Sequence, residues 1–208
     1  MKGKLIKQSL LIGVMVLLML PLTLFIYLSQ QNIKIVPLDP TVETLLSKHI
    51  DALIASDFSD LKGVDIQYSA VTESVDTVFF ETYVKATTIF LPAKYRTYHL
   101  LANNKLAERA PSEDAVRAII AHELIHIQDF MKKSTFGLVA LKDNYEDDAF
   151  KRSFERSTDE RTLKLGYGSG LKEFREWLYN EIGDEKEIEK KKYYYLTPEE
   201  IDALTRMM

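Results

Sequence analysis

Residues 9–28, SLLIGVMVLLMLPLTLFIYL, carry no charge on any face. A helix on the surface of a water-soluble domain keeps one polar side, so a run this apolar does not belong to such a domain. At about 1.5 Å per residue it reaches roughly 30 Å, the thickness of a bilayer's hydrocarbon core. The run therefore predicts a division of the chain into a basic tail (1–8), a transmembrane signal anchor (9–29), a linker (30–40) and a folded domain (41–208). Pro21 is tolerated inside a membrane helix, and Tyr27 falls near the far end, where interfacial aromatics sit. Lys2, Lys4 and Lys7 precede the run, and the next charge is Lys34. The positive-inside rule then puts the N-terminus in the cytoplasm and the domain on the extracytoplasmic side of a single-pass membrane protein. A cleaved signal peptide is the weaker alternative, because LSQQNIKI has no small-x-small cleavage site.

Three of the 27 basic residues lie in the tail, so 24 remain against 31 acidic residues and the rest of the chain carries about −7. That balance argues against nucleic acid as a partner. The chain has no cysteine, which removes disulfides, thiolate metal sites and a cysteine nucleophile together.

Asp39 and Pro40 read as an N-cap and first-turn proline. Val42, Leu45, Leu46, His49, Ile50, Leu53 and Ile54 follow at helical spacing, with His49 a packed residue on the apolar face. VDIQYSAV, DTVFFETYV and ATTIFLP are rich in β-branched and aromatic residues and predict two or three strands in a small antiparallel sheet. AKYRTYHLLANNKLAERA reads as a short helix and a loop, and STFGLVALKDNYED carries no clear pattern. Ser112 caps a helix running to about Lys132, with Glu113 and Asp114 at the positive end of its dipole. A second helix covers about Asp147 to Leu165 and stops at GYGSG. Leu171, Phe174, Trp177, Leu178 and Ile182 mark a third, and EKEIEKKK reads as a solvated face. Thr197-Pro198-Glu199-Glu200 is a capping box that opens a final short helix.

The segment AIIAHELIHIQDF, residues 118–130, carries the chemistry. Residues four apart share a helix face, so His122 and His126 can turn two imidazole nitrogens toward one ion. Glu123 lies about 100° further round the helix, within reach of a water on that ion. Zinc is the metal such a set suits, although other divalent ions bind similar sites. A catalytic zinc takes three protein ligands, and no histidine follows His126. The third ligand is therefore a carboxylate. SFERSTDERTLKLG offers Glu155, with Asp159 one turn on as an acceptor for the outer N–H of a zinc-bound histidine. Asp147, Asp148 and Glu160 are fallback ligands. The plain alternatives are two histidines on a surface helix and an ordinary charged face around Arg152, Arg156, Glu160 and Arg161.

HELIH followed by a helical E-x-x-x-D resembles the gluzincin metallopeptidases, over residues 122–126 and 155–159. The resemblance implies an α+β, zincin-like fold. A small antiparallel sheet would precede an active-site helix and a mainly helical C-terminal part, with one transmembrane helix in front. It implies Zn2+ held by His122, His126 and Glu155, Glu123 as general base and Asp159 supporting a zinc-bound histidine. It also implies a strand beside the site that binds extended peptide, for which ATTIFLP is the expected segment. Tyr167, Arg161 and His99 are candidates for stabilising the oxyanion. The expected function is a zinc-dependent peptidase acting on peptides or proteins at the membrane, where the N-terminal helix enters the lipid bilayer. The alternatives are a membrane-anchored binding or scaffold domain with a structural or vestigial metal site, and a helical interaction domain without metal.

Overall fold

The computed structural model of the protein describes residues 35–71 and 78–208. The expected membrane span, the basic tail and residues 30–34 of the linker lie outside them. Among the described residues no helix is long and apolar enough to cross a membrane.

The described part is α+β and mostly helical. Strand β1 (Ile35–Val36) leads into helix α1 (Pro40–Ser56), where the Asp39 side chain caps the first turn by accepting from Thr41 N at 2.8 Å. Helix α1 buries Val42, Leu46, His49, Ile50 and Leu53, so the expected stripe forms and His49 is part of it. Strands β2 (Asp65–Val71), β3 (Phe80–Val84) and β4 (Thr97–Ala102) follow. A one-turn helix, α2 (Leu106–Arg109), precedes the long helix α3 (Glu113–Met131). The remainder is helical: α4 (Thr135–Tyr145), α5 (Asp148–Lys164), α6 (Gly168–Ile182), α7 (Glu185–Tyr194) and α8 (Pro198–Thr205).

The sheet differs from the antiparallel one that the sequence suggests. Its order is β1-β2-β4-β3, with β2 and β4 parallel and the outer pairs antiparallel. The chain leaves β2, builds β3 at the edge, and returns to place β4 in the centre. All six residues of β4 are buried. A strand buried on both faces shows no in–out alternation, which is why TYHLLA does not announce itself. ATTIFLP is not a strand. It forms a 3-10 turn at Ala86–Thr88 and a bend before Pro92, and the edge strand is the preceding FETYV.

Helix α3 is the hub. It packs against α1, β3, α5 and α6, and every residue from Ala118 to Ile127 is buried. Ser112 caps it, accepting from Ala115 N at 3.2 Å. Helix α6 comes closest at Gly170, where an added Cβ would lie 2.3 Å from the backbone oxygen of Asp114. No side-chain rotation relieves a clash with backbone. Gly170→Ala is therefore expected to lower the unfolding free energy by about 2–3 kcal/mol in urea titrations. Gly137→Ala, where the nearest atoms stand at 3.4 Å, is expected to be neutral or mildly stabilising.

Candidate metal centre

Two helices supply the centre, and each is fixed by its own cap. On α3, His122, Glu123 and His126 fall in the fully buried stretch, so this is not a surface helix. Helix α5 starts where the Asp147 side chain accepts from Phe150 N at 2.8 Å, which commits Asp147 to capping. Asp148 accepts from the Tyr194 hydroxyl, and Glu160 is exposed. Of the carboxylates weighed from sequence, it is Glu155 that faces the histidines. Its Oε2 stands 3.2 Å from His122 Nε2 and 3.3 Å from His126 Nε2, and the two Nε2 atoms are 3.1 Å apart. Donor atoms 2.0–2.2 Å from a tetrahedral zinc stand about 3.3 Å from one another, so this triangle has the size of three such ligands. His122, His126 and Glu155 form a group able to hold a metal ion.

The shell around them is rigid. Asp159, with no exposed surface, places Oδ1 2.9 Å from His122 Nδ1. Its carboxylate also receives Arg175 Nη2 at 2.9 Å and the backbone N–H of Leu196 at 2.8 Å. Burial pushes Asp159 upward, but Arg175 and His122 hold it below the usual carboxylate range. Burial works against a charged His122, yet the contacts with Asp159 and Glu155 outweigh it and lift the imidazole to about 9. Glu155 lies well below its ordinary value, because the adjoining His126 and His122 outweigh its burial. The other oxygen of Glu155 accepts from the Tyr145 hydroxyl on α4, which burial keeps protonated. The ring of His126 is clamped by Phe154, stacked at 5.3 Å, and by Phe130.

Glu123 is held from the sheet. Thr82 on β3 donates to its Oε2 at 2.7 Å, which ties the edge strand to the helix. Beside Glu123 and His122 lies a partly open cavity of about 30 Å³, walled by Phe80, Phe174, Lys191 and Tyr195. That is room for a water molecule or two. Burial, with Arg175 and Lys151 nearby, lowers Lys191 to about 8, and Lys191 of EKEIEKKK lines the cavity while Glu185, Lys186, Glu189 and Lys190 of that segment are exposed.

The three residues considered for oxyanion stabilisation lie elsewhere. The Tyr167 hydroxyl donates to Asp57, and Arg161 is paired with Asp129. His99 is stacked on Tyr83 at 4.9 Å. Its neighbour in β4, Leu100, pairs with Thr82, so His99 points to the sheet face away from α3. Sequence reasoning missed Thr82, Tyr145, Arg175, Lys191 and Tyr195. Only Arg175 left a signal, as a charge inside the apolar stripe of Leu171, Phe174 and Leu178. No family model, curated protein or solved structure matches this chain.

Removing Asp159 leaves Arg175 buried and uncompensated. Asp159→Ala is expected to cost about 3–5 kcal/mol of unfolding free energy, against about 0.5 kcal/mol or less for the exposed Glu160→Ala, both read by urea denaturation. Metal binding requires an unprotonated His122. With that imidazole at about 9 in the metal-free protein, a divalent ion binding there would displace a proton at lower pH. Apparent zinc affinity from competition titrations should rise about tenfold per pH unit up to that value and then level off.

Proposed function

We propose that this protein is a zinc-dependent peptidase of the gluzincin kind, held at the extracytoplasmic membrane face by residues 9–29. The observation that carries the reading is the convergence of His122 Nε2, His126 Nε2 and Glu155 Oε2 within 3.3 Å of one another, with a second carboxylate, Glu123, alongside. A zinc ion bound there supplies a lowered water pKa and a Lewis acid for the carbonyl.

The chain's own residues do the rest. Glu123 takes the proton of the attacking water and later delivers it to the leaving amine. Thr82 holds one Glu123 oxygen, which leaves the other to work as base. The same bond places β3 beside the reacting position. As the edge strand among the described residues, β3 offers a rim at which a substrate can add in extended form. Tyr195 lines the cavity shared with His122 and Glu123, and burial beside Glu155 keeps its hydroxyl well above the usual tyrosine range. It is therefore a donor, and it replaces Tyr167, Arg161 and His99 as the group offered to the oxyanion. Asp159 supports the basicity of His122, and Arg175 holds Asp159.

A second reading rests on a specific observation. His122, His126 and Glu155 are 1%, 6% and 2% exposed, and the adjoining cavity admits water but not a peptide. A structural metal site in a binding domain has that closed form. Two variants separate the readings. Glu123→Gln should bind zinc with unchanged stoichiometry and lose at least about a thousandfold in hydrolysis of a peptide library. Glu155→Ala should lose the metal as well, while Glu160→Ala keeps it. Wild-type protein that holds zinc and cleaves nothing in the library would leave the structural reading standing.

A further inference from the structure

We propose that the tip formed by residues 85–96 and 130–140 is a docking surface for an anionic lipid bilayer. Of the eight large apolar side chains that are exposed among the described residues, four lie in these two segments: Phe90, Leu91, Tyr95 and Phe136. The segments are stitched to each other. Thr135 Oγ1 donates to the Ile89 carbonyl at 2.9 Å. The buried Arg96 donates to the carbonyls of Leu91 at 2.9 Å and Lys133 at 2.8 Å. Three side chains of one loop and one of α4 are thus presented from a single rigid scaffold. Exposed large apolar groups gathered in this way mark an interaction surface.

Charge selects the occupant. The domain as a whole is acidic, yet the two segments contain Lys85, Lys94, Arg96, Lys132 and Lys133 and no acidic residue at all. Lys94 and Lys132 are exposed. Lys94 lies 4.8 Å over the Tyr95 ring, and Lys132 reaches Asp129 at 3.2 Å across a contact open to solvent. Apolar and aromatic tips with exposed lysines beside them suit a bilayer interface, where the rings enter the headgroup level and the ammonium groups meet anionic phosphates. The rest of the domain carries a net negative charge, so a locally basic tip favours approach to such a surface through this end. The geometry also sets a distance from the tip to the metal centre. His126 precedes Lys132 by six residues of helix, about 9 Å along the axis, so docking would bring the metal centre to within about that distance of the docked tip. The docking itself does not depend on the hydrolase reading.

The absence of cysteine allows a direct test in the full chain. Phe136→Cys, a site 76% exposed and free of packing cost, is labelled with an environment-sensitive fluorophore, and Glu185→Cys on α7 serves as the reference. Each is mixed with phosphatidylcholine vesicles with or without phosphatidylglycerol, containing lipids with a quencher on the acyl chain. The expected result is a blue shift and quenching at position 136 with anionic vesicles, several-fold smaller in extent with neutral ones or in high salt, and little at position 185. Adding Phe90→Ser and Leu91→Ser to the labelled chain should abolish the quenching. Because the readout is local, attachment of the chain through residues 9–28 does not mimic it. Equal quenching at 136 and 185, equal quenching in neutral and anionic vesicles, or none at 136 would overturn the proposal; the last would leave the tip to an acidic protein partner.

Discussion

The Asp159 carboxylate is the joint on which the domain turns. It sits on α5 with no access to solvent, yet it meets His122 of α3, Arg175 of α6 and the backbone N–H of Leu196 between α7 and α8. A single buried charge is costly, and so is a buried guanidinium. Each is tolerable only because the other is there, with Asp159 further satisfied by the Leu196 N–H while Arg175 Nε stays without a hydrogen-bond partner among the described residues. The three helices and the segment before α8 are therefore locked to one another at the point where the histidines need orientation. Arg175, 2% exposed, extends the joint by lying 4.3 Å over the Tyr195 ring, which brings that phenol to the wall of the cavity beside Glu123.

Around this joint the fold is asymmetric in a useful way. Between Ala118 and Ile127 helix α3 is buried on all sides, so the three polar side chains of that stretch are held by neighbours inside the fold. His126 finds aromatic rings, His122 finds Asp159, and Glu123 finds Thr82. The last of these couples the helix to a sheet edge. An edge strand is where a sheet can still pair, so the Thr82–Glu123 bond ties the carboxylate beside the histidines to the rim of the sheet. Three electron-rich donor atoms brought to within 3.3 Å without a cation repel unless a proton is shared among them. The raised His122 and the depressed Glu155 express that need, which a divalent ion would meet as well.

The described form is closed around its centre. Tyr145 occupies one oxygen of Glu155, Tyr195 and Lys191 narrow the cavity, and the remaining space suits water. Peptide access would call for α4 or α7 to shift, and these carry fewer buried residues than α3. Elements with little buried apolar surface are the ones that open at low free-energy cost.

Much of this was legible in the sequence, for local reasons. The caps at Asp39, Ser112 and Thr197 act within one turn, so their helices start where the sequence puts them. The i,i+4 spacing of His122 and His126, and of Glu155 and Asp159, is a property of one helix at a time. Once each helix forms, the pairs lie on single faces. What only the tertiary structure decided is which faces meet. It set Glu155 rather than Asp147, Asp148 or Glu160 against the histidines, because the cap at Asp147 fixes the rotation of α5 and the packing on α3 selects its inner side. It put β4 in the sheet centre and FETYV at the edge, since strand order depends on pairings between distant segments. It turned Tyr167, Arg161 and His99 to other duties and brought in Thr82, Tyr145, Arg175, Lys191 and Tyr195 from four separate elements and the turn after α7. A motif encodes the geometry of its own helix, whereas the shell that gives it chemistry is assembled through space.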